Sequence, residues 1–174
     1  MAKVFSLGAS TPAFQQAFPD ARILYLARDP VETIPSGMSL VTGVLDAAFG
    51  FWSLPRDRRD RYLERLYQGL VLLLNRFTED WLAGRIDRDK VMVVPFTRMM
   101  GDFESLMGEI LDFVGHIPTE DLKGSIAERA AKQRGYTSGH RYSLERFGLD
   151  EDRIRRDCAS YIDTFLRAET SQQP

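Results

Sequence analysis

The residue best placed for chemistry is Arg28, which directly follows a short apolar run from Ile23 to Ala27. That run has the length of a β-strand. Asp29 and Pro30 then have the residue types of a helix N-cap and a first helical position, and Glu32 makes an Asp-x-x-Glu variant of the capping box. Ligands bind at the carboxyl ends of strands in open parallel sheets. An arginine at that edge, beside a helix N-terminus, therefore suits a phosphate dianion.

The same residues also have a purely structural interpretation. A strand, a turn and an Asp-Pro helix start need no ligand, and an arginine after a buried strand can simply reach solvent. Spacing alone leaves both interpretations open.

The run Phe-Pro-Asp-Ala-Arg-x-Leu-Tyr-Leu-x-Arg-Asp-Pro, at residues 18–30, resembles the 3′-phosphate-binding segment of sulfotransferases. These enzymes use 3′-phosphoadenosine-5′-phosphosulfate (PAPS) as donor. The resemblance implies that Arg28, and Ser36 eight positions later, hold the donor's 3′-phosphate. Residues 90–99 are similar to a later strand of the family, and residues 139–149 to a segment near the C-terminus of bacterial members. The resemblance thus covers most of the chain.

Other positions match the family more loosely. Arg134 and Gly135 resemble part of the late Arg-Lys-Gly loop that closes over the donor, although a solvated loop cation explains them equally. Phe96 aligns with an aromatic residue that touches adenine in some members, with a core position as the alternative. No catalytic base can be carried over from the family.

The alternation of strands and helices predicts an α/β fold. Strands are predicted at 23–27 and 91–94, with a third at residues 2–5. Helices are predicted over 12–18, 30–41, 57–82, 103–114, 119–132 and 144–147, with a last one from 150 to 165. The continuous apolar run at 91–94 is typical of a strand covered on both faces. The resemblance implies a partial P-loop nucleotide-kinase-like parallel sheet flanked by helices, in a helix-rich single domain over residues 1–174.

Composition excludes several classes of protein. The 174 residues carry a formal charge of −2, so no overall attraction to nucleic acid or an anionic membrane is expected. The single Cys158 cannot form an intramolecular disulfide, and no metal-binding Cys/His spacing occurs. No apolar run is long enough for a membrane span. We therefore expect a metal-free protein in the cytoplasm.

No G-x-x-x-x-G-[KST]-[ST] run occurs in the sequence. In sulfotransferases such a loop after the first strand binds the 5′-phosphosulfate. We therefore expect the chain to be the C-terminal portion of a sulfotransferase-like domain that is incomplete at its N-terminus. An unpaired apolar strand edge would result, and self-association through that edge is expected.

Two functions follow from the resemblance. In its complete form the protein would transfer a sulfuryl group from PAPS to a hydroxyl or amine on a small-molecule, glycan or peptide acceptor. The alternative is a non-catalytic remnant that binds 3′-phosphoadenosine ligands, or that acts in protein interactions. Whether this chain alone is active stays open, and a nucleotide kinase is disfavoured because it also needs the glycine-rich loop.

Overall fold

A computed structural model describes residues 4–134 and 144–167, apart from the side chains of Phe5 and Arg134. Two parallel strands and a set of α-helices make up this part of the chain. In order they are α1 (Thr11–Ala17), β1 (Ile23–Ala27), α2 (Pro30–Phe49), α3 (Arg56–Leu82), β2 (Val91–Pro95), α4 (Phe96–Gly101), α5 (Phe103–Val114), α6 (Glu120–Arg134), α7 (Glu151–Asp157) and α8 (Ala159–Phe165). Short 3-10 helices lie at Phe5–Ala9, Phe51–Ser53, Arg88–Lys90 and Glu145–Phe147.

The sheet is small and parallel. Ile23 pairs with Val91 and Ala27 with Pro95, so the carboxyl ends of β1 and β2 lie side by side. The connection between them contains α2 and α3. These observations confirm the predicted helix-rich α/β fold with a parallel sheet flanked by helices.

The prediction of a third strand at residues 2–5 is wrong where it can be compared. Val4 has an extended backbone but belongs to no strand, and a 3-10 helix begins at Phe5. Residues 2 and 3 lie outside the described part of the chain.

One hydrophobic cluster joins α2, α3 and the C-terminal region. The helices α2 and α3 meet closely because Gly37 has no side chain: a Cβ there would lie 3.2 Å from a methyl carbon of Leu70. This cluster buries one face of α2 against α3 and the C-terminal region. Its buried members are Ile34, Met38, Phe51, Leu63, Tyr67, Phe147, Ile154 and Cys158.

A second cluster holds one face of the sheet against α3 and α8. The ring of Tyr25 stacks on Phe77 with 3.6 Å between the ring centroids, and Phe165 packs against both. Its buried members are Ile23, Ala27, Phe77, Ile86, Val91, Tyr161 and Phe165. The sheet is therefore fixed to the end of the chain as well as to the long helix.

The opposite face of β1 is only partly covered. Leu24 and Leu26 are 39% and 47% exposed, whereas Val94 of β2, which pairs with Leu26, is buried. Each strand has one strand neighbour within the described residues, so each has an outer edge without a strand partner there. The expected self-association through such an edge stays a prediction.

Three elements differ from the sequence-based prediction. The helix α2 continues to Phe49 rather than to residue 41, and it ends at Gly50, which has a positive φ. The short helix α4 after β2 was not predicted. The last predicted helix is divided at Cys158 into α7 and α8.

Candidate phosphate-binding site at the carboxyl edge of the sheet

Arg28 lies at the edge of the sheet where both strands end. Because Ala27 pairs with Pro95, the residues that follow them, Arg28 and Phe96, are neighbours. The guanidinium carbon of Arg28 lies 4.2 Å from the centroid of the half-buried Phe96 ring. The Arg28 side chain is 31% exposed. A cation–π contact thus holds the guanidinium at the surface without removing it from solvent.

The two terminal nitrogens of the Arg28 guanidinium are available as donors. Its Nε donates to Glu32 Oε2 at 2.9 Å, which is an i,i+4 ion pair at the start of α2. Nη1 and Nη2 make no hydrogen bond to the residues that the structure describes. The Nη1/Nη2 edge is a forked pair of donors of the kind that binds phosphate with two parallel hydrogen bonds.

The first turn of α2 has no spare backbone donor. Pro30 lacks an N–H, and Val31 donates to Asp29 Oδ1 at 2.8 Å. Glu32 and Thr33 both donate their N–H groups to the carbonyl of Asp29. The predicted N-cap is confirmed, but Glu32 bonds Arg28 instead of closing a capping box. An anion here would meet the favourable dipole of α2 but would need its hydrogen bonds from side chains.

Ser36 lies on the same side of α2 as Glu32. The two residues are four positions apart, which places Ser36 one turn further along, about 6 Å along the helix axis. Ser36 is half-buried, and its hydroxyl makes no hydrogen bond with the described part of the chain. The Arg28–Glu32 bond therefore holds the guanidinium against Glu32, the residue one helical turn before Ser36 on α2.

The C-terminal helices α7 and α8 contact Asp29 and the backbone of Arg28 at this edge. The Tyr161 hydroxyl accepts a hydrogen bond from the Arg28 N–H at 3.0 Å and donates one to the Arg28 carbonyl at 3.2 Å. Burial raises the pKa of Tyr161 to about 12, so the hydroxyl keeps its proton at neutral pH. Arg155 Nη1 lies 3.7 Å from Asp29 Oδ2. Sequence reasoning missed both contacts, because Tyr161 lies 133 residues from Arg28 and no local pattern links them.

The remaining predicted site residues cannot be placed. Arg134 ends α6, but its side chain lies outside the described residues, as does all of Gly135. Neither their roles nor their distance from Arg28 is tested. The nearby Lys132 makes an ion pair with Glu128 at 2.6 Å.

A separate open groove of about 550 Å³ lies between the N-terminal half of α3 and residues 145–149. It is lined by cations and carboxylates as well as by Trp52. The aromatic residues before α3 do not form one apolar surface: Phe51 is buried in the core, and Phe49 is 80% exposed.

Two negative findings concern residues 4–134 and 144–167. No helix in these ranges combines the length and the hydropathy needed to cross a bilayer. No group of three or more His, Cys, Asp or Glu side chains there is arranged to hold a metal ion.

Comparison with known proteins identifies one family. A family model described as "Sulfotransferase family" matches residues 7–121, which include β1, α2, α3 and β2. No curated protein and no solved structure matches the chain significantly. The matched residues contain both Arg28 and Ser36 but neither α7 nor α8.

Proposed function

Because the chain belongs to the sulfotransferase family, we propose that it binds PAPS as sulfuryl donor and holds the donor's 3′-phosphate between Arg28 and Ser36. The observation that carries this proposal is the Nη1/Nη2 edge of Arg28, which has no hydrogen bond among the described residues and lies at the carboxyl end of a parallel sheet, where the helix that carries Ser36 begins. The donors present fit a phosphate dianion.

Each residue has a distinct part in holding the phosphate. Arg28 offers two parallel charge-assisted hydrogen bonds, and Phe96 and Glu32 keep its guanidinium in one orientation. The Ser36 hydroxyl offers a third donor. The dipole of the 20-residue helix α2 adds positive potential at its N-terminal end. We expect Arg28 to supply most of the binding energy, since it alone carries a full charge.

The phosphate is remote from the group that reacts. Bound PAPS supplies the sulfuryl group, which an acceptor hydroxyl or amine takes as its proton is lost and 3′-phosphoadenosine-5′-phosphate (PAP) leaves. Binding energy gained at Arg28 and Ser36 would orient the donor for this step. Small molecules, glycans and peptides that carry a hydroxyl or an amine are the proposed acceptors. No residue is assigned as the general base.

Calorimetric titration with PAP tests the proposal. We expect Arg28→Ala to weaken PAP binding about a hundredfold, because a charge-assisted bidentate contact is lost. Ser36→Ala should weaken it about fivefold, as expected for one neutral donor. The matched control is Arg56→Ala, which removes an exposed arginine that also forms an i,i+4 ion pair, with Asp60. Equal PAP affinity in wild type and Arg28→Ala would refute the proposed site.

The non-catalytic alternative makes the same binding prediction but a different chemical one. If the chain only binds 3′-phosphoadenosine ligands, PAP titrates normally and no sulfated product forms with any hydroxyl or amine acceptor. An assay with ³⁵S-labelled PAPS and a mixed acceptor set separates the two functions. Product that disappears in Arg28→Ala would establish transfer.

A further inference from the structure

We propose that Tyr161 is a positioning residue for Arg28, and that the C-terminal helix α8 is thereby part of the machinery that binds the 3′-phosphate. This inference rests on the proposed function of Arg28. Tyr161 lies outside the residues that match the family model. It does not touch the ligand in this proposal but acts through the backbone of the residue that does.

The contact is made to both polar groups of one residue. The Tyr161 hydroxyl takes the Arg28 N–H and gives its own proton to the Arg28 carbonyl. Ala27, paired with Pro95, is the last residue of the ladder. Arg28 therefore lies beyond the backbone pairing of the sheet. The Tyr161 phenol provides the hydrogen-bond partners for its N–H and C=O that a paired strand residue would otherwise provide.

The Tyr161 hydroxyl is too deeply buried to be hydrated by solvent. Tyr161 is 1% exposed and packs against Phe165, with 5.5 Å between their ring centroids. A phenylalanine could fill the same apolar space, whereas the buried phenol needs partners for its O–H. Its hydroxyl partner is the backbone of the site arginine, on an element far away in the chain. The two bonds restrain the backbone of Arg28 and so fix the direction in which its side chain leaves the sheet.

A second contact, made by α7, restrains Asp29, the residue after Arg28. Arg155 of α7 lies 3.7 Å from Asp29 Oδ2 and also bonds Glu151. The other oxygen of Asp29 caps α2. The α7–α8 pair therefore restrains the strand end and the helix start between which the guanidinium emerges. Preorganisation of this kind raises affinity because less orientational freedom is lost on binding.

The test compares Tyr161→Phe with Tyr67→Phe. Tyr67 is also 1% exposed and also loses a partly buried hydrogen bond on substitution, from its hydroxyl to Asp157 Oδ2 at 2.6 Å. Its bond lies between α3 and α7, and Arg28 is no partner in it. We expect Tyr161→Phe to weaken PAP binding about tenfold in calorimetry. The Tyr67→Phe variant should bind PAP as wild type does, even if both variants melt at lower temperature.

Hydrogen exchange provides a readout that does not depend on any ligand. The Arg28 amide should exchange faster in Tyr161→Phe than in wild type or in Tyr67→Phe, because its acceptor is gone. Equal PAP affinity in wild type and Tyr161→Phe would overturn the positioning role alone. The same affinity loss in both tyrosine variants would overturn it too, by showing a general effect of lower stability. A folded wild type that does not bind PAP would refute the proposed function, and this inference with it.

Discussion

Removing the negative charge of Glu32 should tighten the binding of PAP. Glu32 bonds Arg28 Nε, and its side chain is 57% exposed. The variant Glu32→Gln keeps an oxygen that can accept the same hydrogen bond, so the guanidinium keeps its orientation. What changes is the repulsion between a carboxylate and a phosphate dianion on the far edge of the guanidinium.

The magnitude follows from the geometry of that edge. With the carboxylate on Nε and the phosphate on Nη1/Nη2, the two anions are about 8 Å apart, at which two unit charges in water repel by about 0.5 kcal/mol. A dianion doubles this energy to about 1 kcal/mol. Screening leaves about 0.4 kcal/mol at 0.15 M salt and about 0.8 kcal/mol at 0.01 M salt. Glu32→Gln should therefore bind PAP about twofold more tightly at the higher salt concentration and about fourfold more tightly at the lower.

Calorimetric titration at both salt concentrations measures the two ratios. The control is Glu128→Gln, which removes one carboxylate from another exposed i,i+4 ion pair, on α6, and changes the net charge equally. That variant should leave the PAP affinity near that of wild type. An affinity that falls in Glu32→Gln would show that Glu32 acts mainly by orienting Arg28. A gain that does not grow as salt is lowered would show that the electrostatic reasoning is wrong.

Four further predictions concern stability and assembly. Burial raises the pKa of the Cys158 thiol to about 11, so a thiol reagent should label it only in denaturant; rapid labelling of the native protein would contradict its burial. Burial raises the pKa of Cys158 from 9.0 to about 11 and that of Tyr161 from 10.0 to about 12. The two protonated groups contribute fully to the free energy of unfolding below about pH 9, and this contribution is lost as pH rises through about 11 to 12. The urea midpoint should therefore fall over that pH window. Gly43→Ala, whose Cβ would meet open space, should raise the free energy of unfolding by about 1 kcal/mol. Gly37→Ala should be less stable than Gly43→Ala in the same urea titration, because its Cβ would lie 3.2 Å from a methyl carbon of Leu70. Light scattering should show mass rising with concentration, less so in Leu26→Lys, and a constant monomer mass would reject the predicted self-association.

Local signals were enough to predict much of the fold. The helix predicted over 57–82 lies at Arg56–Leu82 in the structure. Gly115 and Gly148, both with positive φ, directly follow the elements predicted over 103–114 and 144–147. Asp29 and Asp150 cap the helices that follow, through hydrogen bonds from backbone N–H groups. Capping and periodicity are properties of neighbouring residues, so the sequence contains them directly.

What sequence reasoning missed depends on distant partners. The helix α2 runs to Phe49, past its predicted end at residue 41, and in this extension Thr42 is buried and Leu45 packs against the core cluster. Arg28 was identified from its position after a strand, yet the Tyr161 hydroxyl that bonds its backbone belongs to α8, at the far end of the chain. Glu32 had the residue type for a capping box, and only the three-dimensional position of Arg28 shows that its carboxylate is used elsewhere.

The pairing of β1 with β2 has a consequence for how the protein folds. Ile23 cannot reach Val91 until the whole of α2 and α3 has been brought into place, and closing so long a loop is entropically costly. We therefore expect the helices to form early and the strand pair late. Arg28 acquires its neighbours Phe96 and Tyr161 only after that pairing, so the phosphate site would be absent from the folding transition state. A ligand bound there should slow unfolding and leave the folding rate almost unchanged.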